Sequence, residues 1–316
     1  MDYYPLTDAA ARQLIDAQSV FAEFRRVSAE ARAVRGGMYW KRQDAYEYLV
    51  RTSVNGRQHR IGPRSAATET TYAQFTQRKA ELETRLKAIR EALDEAERLN
   101  RALKVGRVPA IVVDLLRALD EVELGQHFPV IGTHALYAYE TAAGVRIVQG
   151  ALATQDVDLL WDARKRVSFL SVMKQLDRPL LGVLQSVDPT FVRKPDRLES
   201  AINAKAFEVE FIKRPPEGDD PHPFRFSDNE EDLLPVQALR AGVLTDAPRF
   251  EHVVVSATGR MALMRTIAPA DFVKFKRWMG VAPHREELKR ARDIRQADIV
   301  QALLDAGLLR AEAGRA

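Results

Sequence analysis

The chain has 316 residues, a formal net charge of +4 at pH 7 and 46% apolar residues, which is enough for one large domain or two to three small ones. It contains no cysteine, which excludes disulfides, thiolate zinc sites and a cysteine nucleophile. The six histidines show no close metal-ligand spacing, and no stretch approaches the ~20 apolar residues of a membrane span. Because the N-terminus has no basic-then-apolar secretory signal, we expect a cytoplasmic protein without membrane contact.

Helical periodicity opens the chain. Apolar residues recur at helical spacing from about residue 7 to residue 34, and a Gly-Gly pair then ends the predicted helix. Residues 38–63 have the pattern of three short strands, with Tyr46–Val54 in the centre and Asn55-Gly56 as a hairpin turn. Aromatic and basic residues are mixed throughout this meander. That composition fits nucleic-acid binding, a protein contact or simply the core of a small sheet.

A long amphipathic stretch follows. From Thr68 to Leu103, apolar residues form a narrow, near-heptad stripe that predicts a long helix with one partner helix. We expect the partner to be the first helix, packed antiparallel with the meander at one end. The alternative is an intermolecular coiled coil, which would make the protein a homodimer through the long helix. Residues 1–105 are thus predicted to form a helical arm, and residues 106–316 a second domain.

The second domain contains two carboxylates that lie two residues apart. On a strand, Asp156 and Asp158 would project from the same face, roughly 7 Å apart along the chain. At that spacing they can share Mg²⁺, which binds carboxylate oxygens together with substrate phosphates. The Asp-x-Asp pattern is common in loops, so its neighbours decide its meaning.

The neighbouring segments fit a phosphoryl-transfer site. Residues 128–139 predict a short buried strand, a Gly132-Thr133 turn and a helix start. There Thr133 can cap the helix, Gly132 lets the backbone approach a ligand, and the first helix amides attract phosphate. In residues 207–212, acidic and apolar side chains alternate, which predicts a strand. This strand can add a third carboxylate to Asp156 and Asp158. Taken singly, these are an ordinary turn and a solvated strand face; taken in order, they favour a catalytic site.

The remaining segments have simpler patterns. A helix is predicted for residues 164–176, an irregular loop for 214–235, and a hairpin for 250–267. Pro269 begins a helix, as proline does at a first helical position, and two basic helices close the chain near Leu309.

This order of segments resembles the nucleotidyltransferase superfamily that includes DNA polymerase beta and, more narrowly, a bacterial group of nucleotidyltransferase-like proteins. The likeness covers most of the chain, and its matching stretches are Ile131–Glu140, Ala143–Arg146, Thr154–Asp162, Pro269–Lys276 and Lys289–Ala297. Two departures are visible. The turn has threonine in the position where many members have glycine or serine, and the gap between the turn and the aspartates is longer than in compact members.

The resemblance implies an α+β fold, in which helices flank a nucleotidyltransferase-type mixed sheet and a helical arm with a small β meander precedes it. Alternation alone leaves Glu208 and Glu210 equivalent, and the likeness selects Glu210. The implied site residues are Asp156, Asp158 and Glu210 for catalysis and for Mg²⁺ or Mn²⁺, with Gly132, Thr133 and Lys276 for the triphosphate. Lys289 and Arg292 are weaker candidates for phosphate contact.

The implied function is a magnesium-dependent nucleotidyltransferase. It would move a nucleotidyl group from a nucleoside triphosphate such as ATP to an acceptor hydroxyl on RNA, a protein or a small molecule. The basic arm favours a macromolecular acceptor over a small one. The alternative is a protein of the same fold that binds nucleic acid or acts as a scaffold without catalysis, and the presence of all three acids argues against it.

Overall fold

The computed structural model describes residues 2–54, 56–152, 154–176, 178–218, 224–238, 241–283 and 285–310. The predicted turn residue Asn55 and part of the predicted loop, residues 219–223, lie outside this range. The α-helices are α1 (Asp8–Ala33), α2 (Ala66–Ala102), α3 (Ala110–Glu121), α4 (Leu136–Ala142), α5 (Arg166–Met173), α6 (Leu180–Gln185), α7 (Ala241–Asp246), α8 (Pro269–Val281) and α9 (Glu287–Asp305). The strands are β1 (Tyr3–Pro5), β2 (Gly37–Gln43), β3 (Tyr46–Thr52), β4 (Gln58–Pro63), β5 (Val130–Ile131), β6 (Val145–Ile147), β7 (Asp156–Trp161), β8 (Val192–Arg193), β9 (Ser200–Ile202), β10 (Glu208–Lys213), β11 (Val236–Gln237), β12 (Arg249–Val255) and β13 (Met261–Ile267).

The chain divides into two compact units, which we call the helical unit (residues 12–102) and the catalytic unit (residues 1–11 with 103–316). The N-terminal residues group with the catalytic unit because β1 pairs antiparallel with β6, a partner that no local pattern indicates. The division of the chain into two domains, residues 1–105 and residues 106–316, stays a prediction. No helix among the described residues is long and apolar enough to span a membrane.

The two long helices of the helical unit run antiparallel. Near one end, Gln13 Nε2 donates to Asn100 Oδ1 at 3.2 Å, and near the other end Glu30 forms an ion pair with Arg78. Helix α2 begins and ends within two residues of the expected bounds, and its predicted stripe is buried at Leu82, Leu93 and Ala96. At the end of the stripe the prediction is wrong, because Leu99 is exposed and the neighbouring Asn100 is buried. The apolar residues buried in this unit's helices include Leu14, Ala17, Phe21, Val27, Leu82, Leu93 and Ala96.

The meander between the two helices is a three-stranded antiparallel sheet of order β2-β3-β4, as predicted. One face packs on α2: the rings of Trp40 and Tyr72 lie 5.9 Å apart, and the Arg51 guanidinium lies 4.4 Å above the Phe75 ring. Lys79 interrupts the apolar stripe of α2. Its ammonium group donates to the carbonyl of Gly36, in the turn between α1 and β2, at 2.7 Å.

The catalytic unit is built on a mixed sheet of order β5-β7-β10-β9-β8, with β11 added in parallel against β10. Strands β7 and β10 are parallel neighbours, whereas β5 and β9 pair with them antiparallel. Aromatic side chains at the core, including Phe128, Phe169 and Phe211, pack edge to face with centroids 5.1–5.7 Å apart. With its flanking helices this is the α+β architecture that the sequence predicts.

The C-terminal part matches its predicted pattern closely. Strands β12 and β13 form the expected antiparallel hairpin, and α8 begins at Pro269. The hairpin is tied to the body of the unit because the Tyr139 hydroxyl donates to the Ile267 carbonyl at 2.8 Å. Helix α3, with one apolar face buried, is an element that the sequence reading did not identify.

Candidate active site

The acidic residues of the two central strands lie side by side. In the parallel pairing of β7 with β10, Asp156 is opposite Glu208 and Asp158 is opposite Glu210. Since alternate residues of a strand share a face and paired positions point the same way, four carboxylates lie on one side of the sheet. The period-two pattern of each strand therefore produces a strongly negative surface at this point.

A cavity of about 360 Å³ opens above these strands. All six residues that the sequence assigns to the site line it, whereas Glu208 does not. The cavity is lined by Ile131, Gly132, Thr133, Asp156, Asp158, Glu210, Ile212, Ala238, Leu244, Phe275, Lys276, Trp278, Met279, Arg285, Lys289 and Arg292. The fold thus brings together residues from β5, β7, β10, α8 and α9. Of the two glutamates that alternation left equivalent, only Glu210 lines the cavity.

Position 132 requires glycine for two reasons, its backbone conformation and the closeness of Asp158. The Gly132 φ of +70° lies in the left-handed region that side chains rarely adopt. A Cβ at this position would lie 2.3 Å from Asp158 Oδ2, closer than any real contact. Glycine therefore lets the turn pass directly against the carboxylate of Asp158.

The predicted role of Thr133 as a helix cap is wrong. The turn is a short 3₁₀ helix, Gly132–Ala135, in which Thr133 lies inside the first turn rather than before it, and no side chain caps it. The Thr133 hydroxyl instead accepts a hydrogen bond from Gln296 Nε2 at 3.2 Å. Gln296 Nε2 also donates to the Ala151 carbonyl at 2.6 Å, so Thr133 is part of a link between the turn and α9.

The surroundings of Asp158 disfavour the negative charge of its carboxyl group. Burial, together with the nearby negative charges of Asp156 and Glu210, raises its pKa to about 7, although the positive charges of Lys276 and Arg285 oppose the rise. Near neutral pH, a cation added beside Asp158 would therefore favour the ionised form of this acid.

Glu210 has a cationic partner that the sequence did not reveal. Arg197, from the segment before β9, contacts Glu210 Oε2 through Nη2 at 2.9 Å and Glu208 Oε1 through Nη1 at 3.0 Å. Burial raises the pKa of Glu210 above its ordinary value, and the Arg197 charge only partly opposes this rise. Arg197 lies in an irregular segment with no periodicity, which explains why no pattern identified it.

The donor set fits a divalent cation in part. Asp156 and Asp158 offer carboxylate oxygens on one side of the sheet, the ligands that Mg²⁺ prefers, and Glu210 is held by Arg197. In the described part of the chain, no group of three or more His, Cys, Asp or Glu side chains is arranged to hold a metal ion. Two aspartates therefore fit the predicted metal site, and the third acid fits only if it leaves Arg197.

Lys276 lines the cavity, but its charge is already paired. Its side chain is buried, and Nζ donates to Asp293 Oδ1 at 2.7 Å, while Arg285 also pairs with Asp293. Burial lowers the pKa of Lys276, and Asp293 opposes that shift. The predicted phosphate-binding lysine is thus held in place by α9 at the wall of the cavity.

Two groups of lining residues were missed by the sequence reading. Phe275, Trp278 and Met279 lie on α8 at helical spacing, a signal that could have been read as an apolar face toward a ligand. Arg285 lies between α8 and α9. There it has no periodicity that could have marked it.

Comparison with known proteins agrees with this geometry. The profile of a family described as nucleotidyltransferase matches residues 110–314, which is 205 of the 316 residues. No curated protein and no solved structure matches the chain.

The chain therefore belongs to the nucleotidyltransferase family, whose members transfer phosphorus-containing groups. The matched residues include the strands that carry Asp156, Asp158 and Glu210 and both C-terminal helices. The protein is accordingly an enzyme, a nucleotidyltransferase.

Proposed function

We propose that the cavity binds a nucleoside triphosphate with Mg²⁺ or Mn²⁺ and transfers its nucleotidyl group to an acceptor hydroxyl. The observation that carries this proposal is the convergence of the glycine turn, the three acids and Lys276 on one cavity in a chain of this family. A small-molecule site is typically a concave pocket with a few converging polar groups, and this cavity fits that description.

Asp156 and Asp158 hold the cation in this proposal. The support for this role is the carboxylate pair on one side of β7 and the mutual repulsion of Asp156, Asp158 and Glu210, which raises the pKa of Asp158 and which a bound cation would relieve. When bound, the metal supplies charge neutralisation and orientation for the phosphates. The chain's own contribution is to fix the Asp158 carboxylate against Gly132, so that the triphosphate is positioned without reorganisation of the turn.

Glu210 is the third acid. It either joins Asp156 and Asp158 as a third carboxylate that holds the cation, or accepts the proton of the acceptor hydroxyl as the new bond to phosphorus forms. Either role requires Glu210 to exchange the Arg197 guanidinium for the substrate complex. The Arg197 contact favours the ionised form of this acid and holds its side chain in place until then.

The other wall of the cavity is suited to the nucleotide. Arg285 and Lys289 supply positive charge near the triphosphate, with the buried Lys276 behind them. Stabilising charge on the departing pyrophosphate is the usual task of such groups. Phe275 and Trp278 give an aromatic surface on which a nucleobase can stack.

The test is a titration of the four ribonucleoside triphosphates with and without Mg²⁺, followed by the same titration of Asp158→Asn. We expect metal-dependent binding in the parent and its loss in the variant. In a parallel assay of label transfer to the acceptor, the rate should fall about 10²–10³-fold in the variant, because one carboxylate of the cation site becomes a neutral amide. Asp228→Asn is the matched control, since Asp228 is an exposed aspartate that does not line the cavity. Full activity in Asp158→Asn would disprove the assignment.

The acceptor is proposed to be macromolecular, with an RNA end and a protein side chain as the two candidates. Incubation of the enzyme with each labelled triphosphate and total RNA or total protein identifies which fraction becomes labelled. A homodimer through α2 is the alternative assembly. The antiparallel pairing of α1 with α2 within one chain favours a monomer, and analytical ultracentrifugation of the full chain distinguishes the two.

A further inference from the structure

The register of the small sheet assembles an aromatic and basic face. In the β2–β3 pairing, Tyr39 lies opposite Val50, Lys41 opposite Tyr48 and Gln43 opposite Tyr46, and Val50 lies opposite Arg60 of β4. Since paired and alternate positions share a face, these side chains stand on one side of the sheet. We call the set Tyr39, Lys41, Tyr46, Tyr48 and Arg60 the tyrosine face.

The opposite side of the sheet already supplies its packing. Trp40 lies against Tyr72, and Arg51 lies over Phe75, both on α2. On the tyrosine face, in contrast, Tyr46 is 64% exposed and Tyr39 is 37% exposed. Exposed aromatic rings on a sheet whose other side is packed are not explained by the need for a core.

Charge on this face is of one sign. Lys41 and Arg60 belong to it. The only acidic residue in the described strands β2, β3 and β4 is Glu47, which is on the opposite side, where Arg64 pairs with it at 2.6 Å, and Asp44 lies in the turn between β2 and β3. Residues 37–63 as a whole contain five lysines and arginines and two acids. The tyrosine face therefore complements a polyanion.

The rings also have a spacing that suits stacked bases. Tyr46 and Tyr48 have centroids 6.4 Å apart along the strand, and the Arg60 guanidinium lies 3.0 Å from the centre of the Tyr48 ring. Bases stack on aromatic rings and on arginine planes, and they offer their flat surfaces only when they are unpaired. A double helix hides those surfaces within its own stack.

We infer that the tyrosine face binds single-stranded nucleic acid, with bases stacked on Tyr39, Tyr46 and the Arg60–Tyr48 stack and with phosphates neutralised by Lys41 and Arg60. The further role of this strand as the acceptor rests on the proposed function. The binding itself does not, since it uses residues of the helical unit alone.

The experiment measures fluorescence anisotropy of a labelled single strand of about 12 nucleotides, within the usual site size, with the full chain and without triphosphate or metal. Tyr46→Ser should weaken binding about tenfold, the loss of one stacked base. Tyr4→Ser is its matched control, because Tyr4 is also exposed but lies on β1. Lys41→Gln should reduce the salt dependence by about 0.7 in log-log slope, and exposed Lys87→Gln of α2 should not.

The outcomes are separable. Equal weakening of single-stranded RNA and DNA by Tyr46→Ser supports the inference, because the shared chemistry is base and phosphate. Duplex binding as tight as single-strand binding, or parental affinity in both Tyr46→Ser and Lys41→Gln, overturns it and makes a protein contact the better account of the face. Asp158→Asn should retain strand binding while losing transfer, so a failure of the proposed function does not resemble a failure of this inference.

Discussion

The helical unit and the catalytic unit treat charge in opposite ways. In the helical unit, Glu23 and Arg85 form an ion pair whose side chains are 34% and 51% exposed. In the catalytic unit, the side chains of Lys276 and Asp293 pair at 2.7 Å with exposures of only 4% and 0%. Exposed pairs contribute little because water and salt screen them, whereas buried charges cost much desolvation and are stable only when paired.

This contrast indicates what each unit is built for. The helical unit is stabilised by a narrow apolar seam, and its exposed charged side chains contribute to solubility or recognition rather than to stability. The catalytic unit keeps ionised groups away from water beside its cavity, where they fix side chains in defined positions. Substitutions that remove the charge in each unit test this difference.

The largest effect is expected from Asp293→Ala. Removing this carboxylate leaves Lys276 and Arg285 without their shared acidic partner beside the cavity, and we expect a loss of about 3–5 kcal/mol in the free energy of unfolding. Urea denaturation of parent and variant measures it. Asp298→Ala, at an exposed position of the same helix, is the control. A loss no greater than that of the control would mean that the buried cluster does not hold α8 and α9 together.

The pH dependence of stability offers a second comparison of the two units, through a buried histidine of the catalytic unit. Burial, with a smaller effect of Lys165, lowers the pKa of His127 to about 4, so the folded protein keeps this ring neutral. The unfolded chain takes up its proton first as the pH falls. Stability that is present above pH 6.5 is therefore lost progressively toward pH 4, by about 2–3 kcal/mol.

His127→Phe keeps an aromatic ring against Phe169 and removes the titration. The difference in unfolding free energy between pH 7.5 and pH 4.5 should shrink in this variant. His59→Asn, in the exposed strand β4 of the helical unit, should keep the parental pH dependence. If His127→Phe shows the same pH dependence as the parent, another group causes the acid loss.

A smaller effect is expected at the third acid. Arg197→Gln removes the cation that engages Glu210, so Mn²⁺ affinity measured by calorimetry should rise roughly tenfold, equivalent to about 1.4 kcal/mol. Arg193→Gln is the matched control, because Arg193 lies nearby on β8 and donates to the Glu230 and Asp232 carbonyls instead. A fall in affinity would show that Arg197 positions Glu210 for the metal rather than competing with it.

The smallest effect is expected from Glu23→Gln. This side chain pairs with Arg26 and Arg85 at the surface, and solvent screens both pairs. The unfolding free energy should not change within experimental error, at low or high salt. A clear, salt-sensitive loss would remove the contrast between the two units.

The sequence by itself determined many of the local elements and the two aspartates, and the family resemblance added Glu210. The near-heptad stripe of α2, the two-residue period of β7 and β10, and the glycine turn are short-range patterns, and the structure has each of them where it was predicted, apart from the end of the stripe. Asp156, Asp158 and Glu210 reach one cavity because neighbouring parallel strands in register point their alternate residues the same way. The roles of these acids stay predictions.

Only the tertiary structure decided how these residues are held. Arg197 meets Glu210, Asp293 neutralises Lys276, Gln296 binds Thr133, and β1 joins β6 across most of the first half of the chain. None of these contacts follows from a helical or strand period, because each joins separate segments of the chain that approach only when the sheet and its helices pack. Burial then sets the charge of each group, and burial is a property of the packed fold rather than of the local sequence.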